Sequence, residues 1–177
     1  ARNQGWIDTA LALVLGFGTF TRTGEIFSAR KSHFALSWER GSGVWTLPLS
    51  KSGRRHGTTE SVVLSDPWVA RLLYGYLCRL HPSDLLVRTS SHVQRVRLQQ
   101  ACRALSIDFG FTWYSLRRGG ATHALTVTQN LPSVCLQGRW TSLKTARIYL
   151  TEAQTRLAEY RLEAAREHKL LMLARSY

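Results

Sequence analysis

The sequence predicts a mainly α fold with one small antiparallel β-sheet (α+β), and three observations carry that expectation. Apolar residues recur at helical spacing over most of the chain; one stretch alternates β-branched and apolar residues around a glycine-bounded polar turn; and no segment repeats or thins into a low-complexity linker. With 44% hydrophobic residues among 177, the chain can bury one core, so a single domain over 1–177 is expected.

In chain order, Trp6 to Ala29 reads as helical through Ile7, Leu11, Val14 and Leu15, with Gly16, Gly18 and Thr19 expected to divide it into two helices. His33 to Glu39 suits a short strand. Val44 to Ser50 and Ser61 to Leu64 suit two antiparallel strands joined across Ser52-Gly53-Arg54-Arg55-His56-Gly57, a hairpin with a cationic tip. Asp66-Pro67 sets an N-cap before a proline at the first helical position, and Val69, Leu72, Leu73, Tyr76, Leu77 and Leu80 follow on one face. Further helices are expected over Ser91 to Leu105, Leu116 to Val127, Pro132 to Leu136, Ser142 to Thr151 and Glu152 to Ala174.

Charge narrows the class of partner. Lys and Arg number 24 against 11 Asp and Glu, a net +13 whose self-repulsion favours a polyanionic partner, nucleic acid ahead of an acidic membrane. Cys78, Cys102 and Cys135 are odd in number and widely spaced, which suits neither a disulfide framework nor a zinc site. The longest apolar run, Ala10 to Phe20, is too short to span a bilayer, so a reducing compartment and no membrane partner are expected. With no methionine at its start, the chain reads as a fragment of something longer.

Phosphoryl transfer requires cationic donors around the non-bridging oxygens, a nucleophile in line with the leaving oxygen, and a proton for that oxygen. Arg22 lies in Phe20-Thr21-Arg22-Thr23-Gly24-Glu25, where Glu25 can orient its guanidinium. Alone, such a pair is most often a surface ion pair. Tyr114 and Arg117 precede Gly119-Gly120, which reads as a helix start with free amides, an anion site whose ordinary alternative is merely a basic helix start. Gly138-Arg139-Trp140 is followed, nine residues after the tryptophan, by Tyr149. A tyrosine on a helix is usually core.

Together these motifs, from about Ile7 to Tyr149, resemble in order and spacing the tyrosine recombinase, or phage integrase, family. In that family a first arginine sits in a glycine-containing turn with an acidic residue three positions on, as Arg22 and Glu25 do; a lysine occupies a hairpin tip, as Lys51 does. The second box, typically H-x-L-R-H with A-T-H following, is matched by Tyr114-Ser115-Leu116-Arg117-Arg118 and Ala121-Thr122-His123, with His123 read as structural. The last box is matched by Gly138-Arg139-Trp140 through Tyr149. Tyr114 and Trp140 replace the two usual histidines, a pairing that resembles mobile-element members, and Tyr114, with a reference pKa of about 10, is no neutral-pH base.

The resemblance implies DNA cleavage and rejoining for site-specific recombination, integration or transposition through a 3′-phosphotyrosine, without metal or cofactor. Arg22, Lys51, Tyr114, Arg117, Trp140 and Tyr149 would be catalytic and Glu25 accessory. Arg54, Arg55, Arg88, Arg95, Arg97, Arg118 and Arg139 would meet double-stranded DNA. The chain would be the C-terminal catalytic part of a larger recombinase acting as a dimer or tetramer on DNA, in the nucleus of a eukaryote or otherwise in the cytoplasm or nucleoid. Residues 152–177 would form a C-terminal helix of the kind relatives exchange between protomers. A type IB topoisomerase-like enzyme and a catalytically inactive DNA-binding relic are the alternatives.

Overall fold

The computed structural model describes residues 4–48, 57–107, 110–142, 144, 146 and 171–172. Among them the fold is mainly helical with one three-stranded antiparallel sheet, as the sequence leads one to expect.

Helix α1 (Gln4–Thr19) buries Leu11, Ala12 and Leu15, one turn apart on a single face. It runs through Gly16 and Gly18 and ends at Thr19, so the expected two helices are present, divided at the last residue of the expected cluster. Gly16 sits within the helix because a Cβ there would come within 3.0 Å of Ile26 Cδ1 and 3.1 Å of Leu116 Cδ1, so the residue permits close packing instead of a turn. The chain turns one residue past the helix end, where Phe20 is left-handed (φ 50°) and its ring is buried. Such a backbone costs roughly 1 to 3 kcal/mol in a non-glycine residue, an amount that burial of a phenyl ring can offset. Extended Arg22 then caps the short α2 (Thr23–Phe27).

Strands β1 (Phe34–Ser37), β2 (Ser42–Leu47) and β3 (Glu60–Leu64) lie in sheet order β1-β2-β3, with Phe34 opposite Trp45 and Leu47 opposite Glu60. Alternation turns Trp45, Leu47, Val62 and Leu64 into the core. The stretch between β2 and β3 that holds Lys51, Arg54 and Arg55 lies outside the described residues.

Helix α3 (Pro67–Leu77) starts where the proline indicates: the Asp66 carboxylate accepts from Trp68 N (2.8 Å) and Val69 N (3.1 Å). Helix α4 (Ser91–Ala104) is capped by Ser90, and α6 (Leu131–Gly138) by Asn130, whose side chain accepts from Ser133 N at 3.0 Å. Helix α5 (Trp113–Thr128) begins three residues before the expected Leu116. Gly119 and Gly120 are therefore mid-helix and offer no free amides, so the anion site read from them is not there. The physical reason is packing: a Cβ on Gly120 would stand 1.9 Å from Phe17 O, and only glycine lets α5 cross α1 at that distance.

Two apolar clusters result. The larger joins α1, α2, the sheet, α3, α4 and the start of α5 around Leu15, Ile26, Trp45 and Leu73. A smaller one, around Phe20, Ala121, Val134 and Trp140, fixes α6 beneath α5. The candidate site lies where they meet. Of the two last expected helices, Lys144, Ala146, Leu171 and Met172 are helical and the remainder lies outside the described residues.

Candidate active site

The site is built on two left-handed junctions, Phe20 after α1 and Arg139 (φ 56°) after α6. Arg117, on α5, ties them together: Nη1 donates to Phe20 O, and Nη2 donates to Gly138 O at 2.8 Å. Its side chain is almost wholly buried, and its Cζ lies 5.1 Å from the centre of the Trp140 ring, so indole face and backbone carbonyls share its charge. Gly138 is the condition for this stacking, since a Cβ there would fall 2.6 Å from ring carbons of Trp140. The G-x-W spacing thus has a steric cause.

Arg22 is held from two sides by Glu25. Arg22 N donates to Oε2 (2.7 Å) and Nη1 donates to Oε1 (2.9 Å), while the arginine side chain stays 32% exposed. The sequence pairing of Arg22 with Glu25 therefore exists, with Glu25 buried. A third donor was not foreseen: Arg139 Nη2 reaches Glu25 Oε2 at 2.7 Å, and Arg139 Nε faces Glu60 Oε2 at 3.6 Å. Burial alone would push the Glu25 carboxyl up; the charge of Arg139 and the hydrogen bonds from Arg22 and Arg139 outweigh it and hold the carboxyl below its ordinary value.

Tyr114 stands 47% exposed on the first turn of α5, three positions before Arg117. Of the arginines read as DNA contacts, Arg88 and Arg95 are exposed, the first 3.5 Å from Asp84 and the second bonded to His92 at 3.1 Å. Arg118 is half-buried. Arg97 turns toward Thr9 (3.4 Å) and the Trp6 ring, and Arg139 is turned inward with its side chain 8% exposed. Tyr149, Lys51, Arg54 and Arg55 lie outside the described residues. His123 is exposed against the Phe17 ring. Tyr76 is unsuited to nucleophilic chemistry, since burial and its 2.6 Å hydrogen bond to Asp8 raise its phenol well above the usual range.

Sequence reasoning missed Glu60 and the inward course of Arg139. The one local signal was Arg139's place directly after a helix-ending glycine, which forces its backbone to turn.

No family model matches the chain, and no curated protein matches it. Solved structures do. The chain superposes on XerH site-specific recombinase bound to palindromic difH substrate in a post-cleavage complex, with TM-score 0.67 and 20% identity over 87% of this chain and 44% of that one. The fold is that of a tyrosine recombinase catalytic domain. A pre-cleavage complex of XerH with difH substrate gives TM-score 0.65 and 19% identity over 86% of this chain and 45% of that one. The chain spans less than half the length of these recombinases. Among the described residues no helix is long and apolar enough to cross a membrane.

Proposed function

We propose that the chain is the catalytic part of a DNA recombinase that cleaves and rejoins strands through Tyr149. The observation that carries this reading is the convergence of Arg22, Glu25, Arg117 and Trp140, drawn from three separate motifs, on one site within the recombinase fold. The partly exposed Arg22 fork meets a non-bridging phosphate oxygen, exposed Tyr114 adds a hydroxyl donor, and buried Arg117 adds positive charge. Tyr149 Oη attacks phosphorus, the bond to the 5′ oxygen breaks, and a 3′-phosphotyrosyl ester forms. Overall one proton passes from the phenol to the 5′ oxygen; Lys51 delivers it, a general-acid contribution of roughly 10²- to 10⁴-fold. Attack by a 5′ hydroxyl from another strand reverses these steps without an external energy source. Exchange between two duplexes needs more than one such site, so the chain acts as a homo-oligomer on double-stranded DNA.

One observation favours the reading of an inactive DNA-binding relic: both terminal nitrogens of Arg117 are engaged by carbonyls, as in a purely structural arginine. A pool of nicked duplexes of randomised sequence carrying a 5′-bridging sulfur separates the two, because the thiolate leaves unprotonated and cannot rejoin. The active enzyme forms a covalent adduct that Tyr149→Phe abolishes while duplex binding is retained. No adduct, or one that survives in Tyr149→Phe, rejects the assignment.

A further inference from the structure

Four charges alternate in a chain through the site: Arg22, Glu25, Arg139 and Glu60. Each comes from a segment that carries a candidate catalytic residue. Arg22 and Glu25 flank the start of α2; Arg139 directly precedes Trp140; Glu60 opens β3, the strand leaving the stretch that holds Lys51.

Stability alone is a weak reason to keep such a row, because the desolvation of inward-turned ions largely cancels their attraction and well-packed apolar residues serve as well. What charges add is direction. Glu25 divides its oxygens, giving Oε1 to the Arg22 guanidinium and Oε2 to Arg22 N and Arg139. Among the described residues Arg139 is what holds the Glu25 carboxylate from across the site, so its loss would let the carboxylate plane shift and take the Arg22 guanidinium bonded to it along. Glu60, beyond hydrogen-bond distance at 3.6 Å, aims the Arg139 fork from the opposite side.

We propose that Arg139 and Glu60 are positioning residues for Arg22, acting through Glu25, and that Arg139 is not a DNA-backbone contact. This rests on the reading that the chain cleaves DNA through Tyr149. Displacement of a catalytic group by about 1 Å can cost roughly 10²-fold in rate, which sets the expected scale.

The test uses the whole chain and the bridging-sulfur duplex pool, with single-turnover adduct formation and duplex Kd measured separately. Arg139→Met is expected to slow adduct formation about 10²-fold with Kd changed less than about twofold, a binding loss far below that of a lost phosphate contact. Arg139→Lys, which keeps the charge without the fork, falls between. Glu60→Gln, at a half-buried residue outside the core, keeps the fold and slows the reaction several-fold. The double variant Glu25→Gln/Arg139→Met is no slower than Glu25→Gln alone, because the second residue acts only through the first. Additive losses, a weakened Kd in Arg139→Met, or wild-type rates in Glu60→Gln overturn the inference while leaving Tyr149 as the nucleophile. A wild-type chain that forms no adduct overturns both.

Discussion

At Glu25 the contest between burial and neighbouring charge decides how the protein responds to acid. Burial opposes its ionisation, yet Arg139 and the hydrogen bonds from Arg22 and Arg139 bring the carboxyl below its ordinary 4.5. Since the folded carboxyl titrates below the unfolded one, its stabilisation is complete above the unfolded value and fades as pH falls through the folded one. Glu25→Gln also takes from inward-turned Arg139 its hydrogen-bonded carboxylate and leaves it Glu60 at 3.6 Å, a change costing up to about 3 kcal/mol at neutral pH. Urea denaturation at pH 7 and near pH 3 reads both: the gap between wild type and variant is expected to narrow in acid, and a gap constant with pH refutes the account. The Arg22–Glu25 half of this cluster was legible because its partners are three positions apart. Arg139 reaches Glu25 across 114 residues, and no local pattern encodes a contact at that separation. Its arginine was read instead by composition, as one more cation for DNA.

Helix starts show the same division. Asp66-Pro67 announced α3 because N-cap chemistry is written in adjacent residues. The start of α5 was placed three residues late because its box, Thr112 with Ser115, lacks the acidic residue that marks the motif, and the glycine pair read as a boundary. The two glycines differ in a testable way. A Cβ on Gly119 meets nothing nearer than Phe17 Cε2 at 3.7 Å, whereas on Gly120 it would overlap the Phe17 carbonyl. Gly119→Ala is therefore expected to be neutral or to stabilise by up to about 1 kcal/mol through helix propensity. Gly120→Ala is expected to destabilise by about 3 kcal/mol or more as α1 and α5 are forced apart. Equal urea midpoints for the two variants would show that the α1–α5 crossing has room it does not have here. The pairing of β2 with β3 was legible from its alternation, but which residue between them would serve as acid was not, since Lys51, Arg54 and Arg55 carry the same charge within a few positions of sequence. The leaving group discriminates among them. Lys51→Ala is expected to slow cleavage of an ordinary phosphodiester at least about 10²-fold and to matter little for the bridging-sulfur duplex; equal loss on both moves the acid elsewhere.

Over the whole molecule, a net charge of +13 points to a polyanionic partner and leaves open which cations would meet it. The fold sorts them. Arg88 and Arg95 are exposed, while Arg97 lies toward Trp6 and Thr9, Arg117 is given to backbone carbonyls and Arg139 to Glu25. Cations with inward partners release no condensed counterions when the duplex arrives, so the salt dependence of binding counts only those that turn outward. Each phosphate neutralised contributes roughly −0.9 to the slope of log K against log salt on duplex DNA. The wild-type slope is therefore expected to be steep, yet much smaller than 24 cations would give if each met one phosphate. Arg95→Gln, at an exposed site bonded to His92 on the same helix, is expected to reduce the slope by about one contact. Arg139→Met is expected to leave it unchanged even though it removes the same formal charge. Titrating a nonspecific duplex between about 50 and 200 mM salt measures both slopes. A fall of the same size in the two variants would mean that formal charge, and not the direction in which the fold turns it, governs the salt dependence.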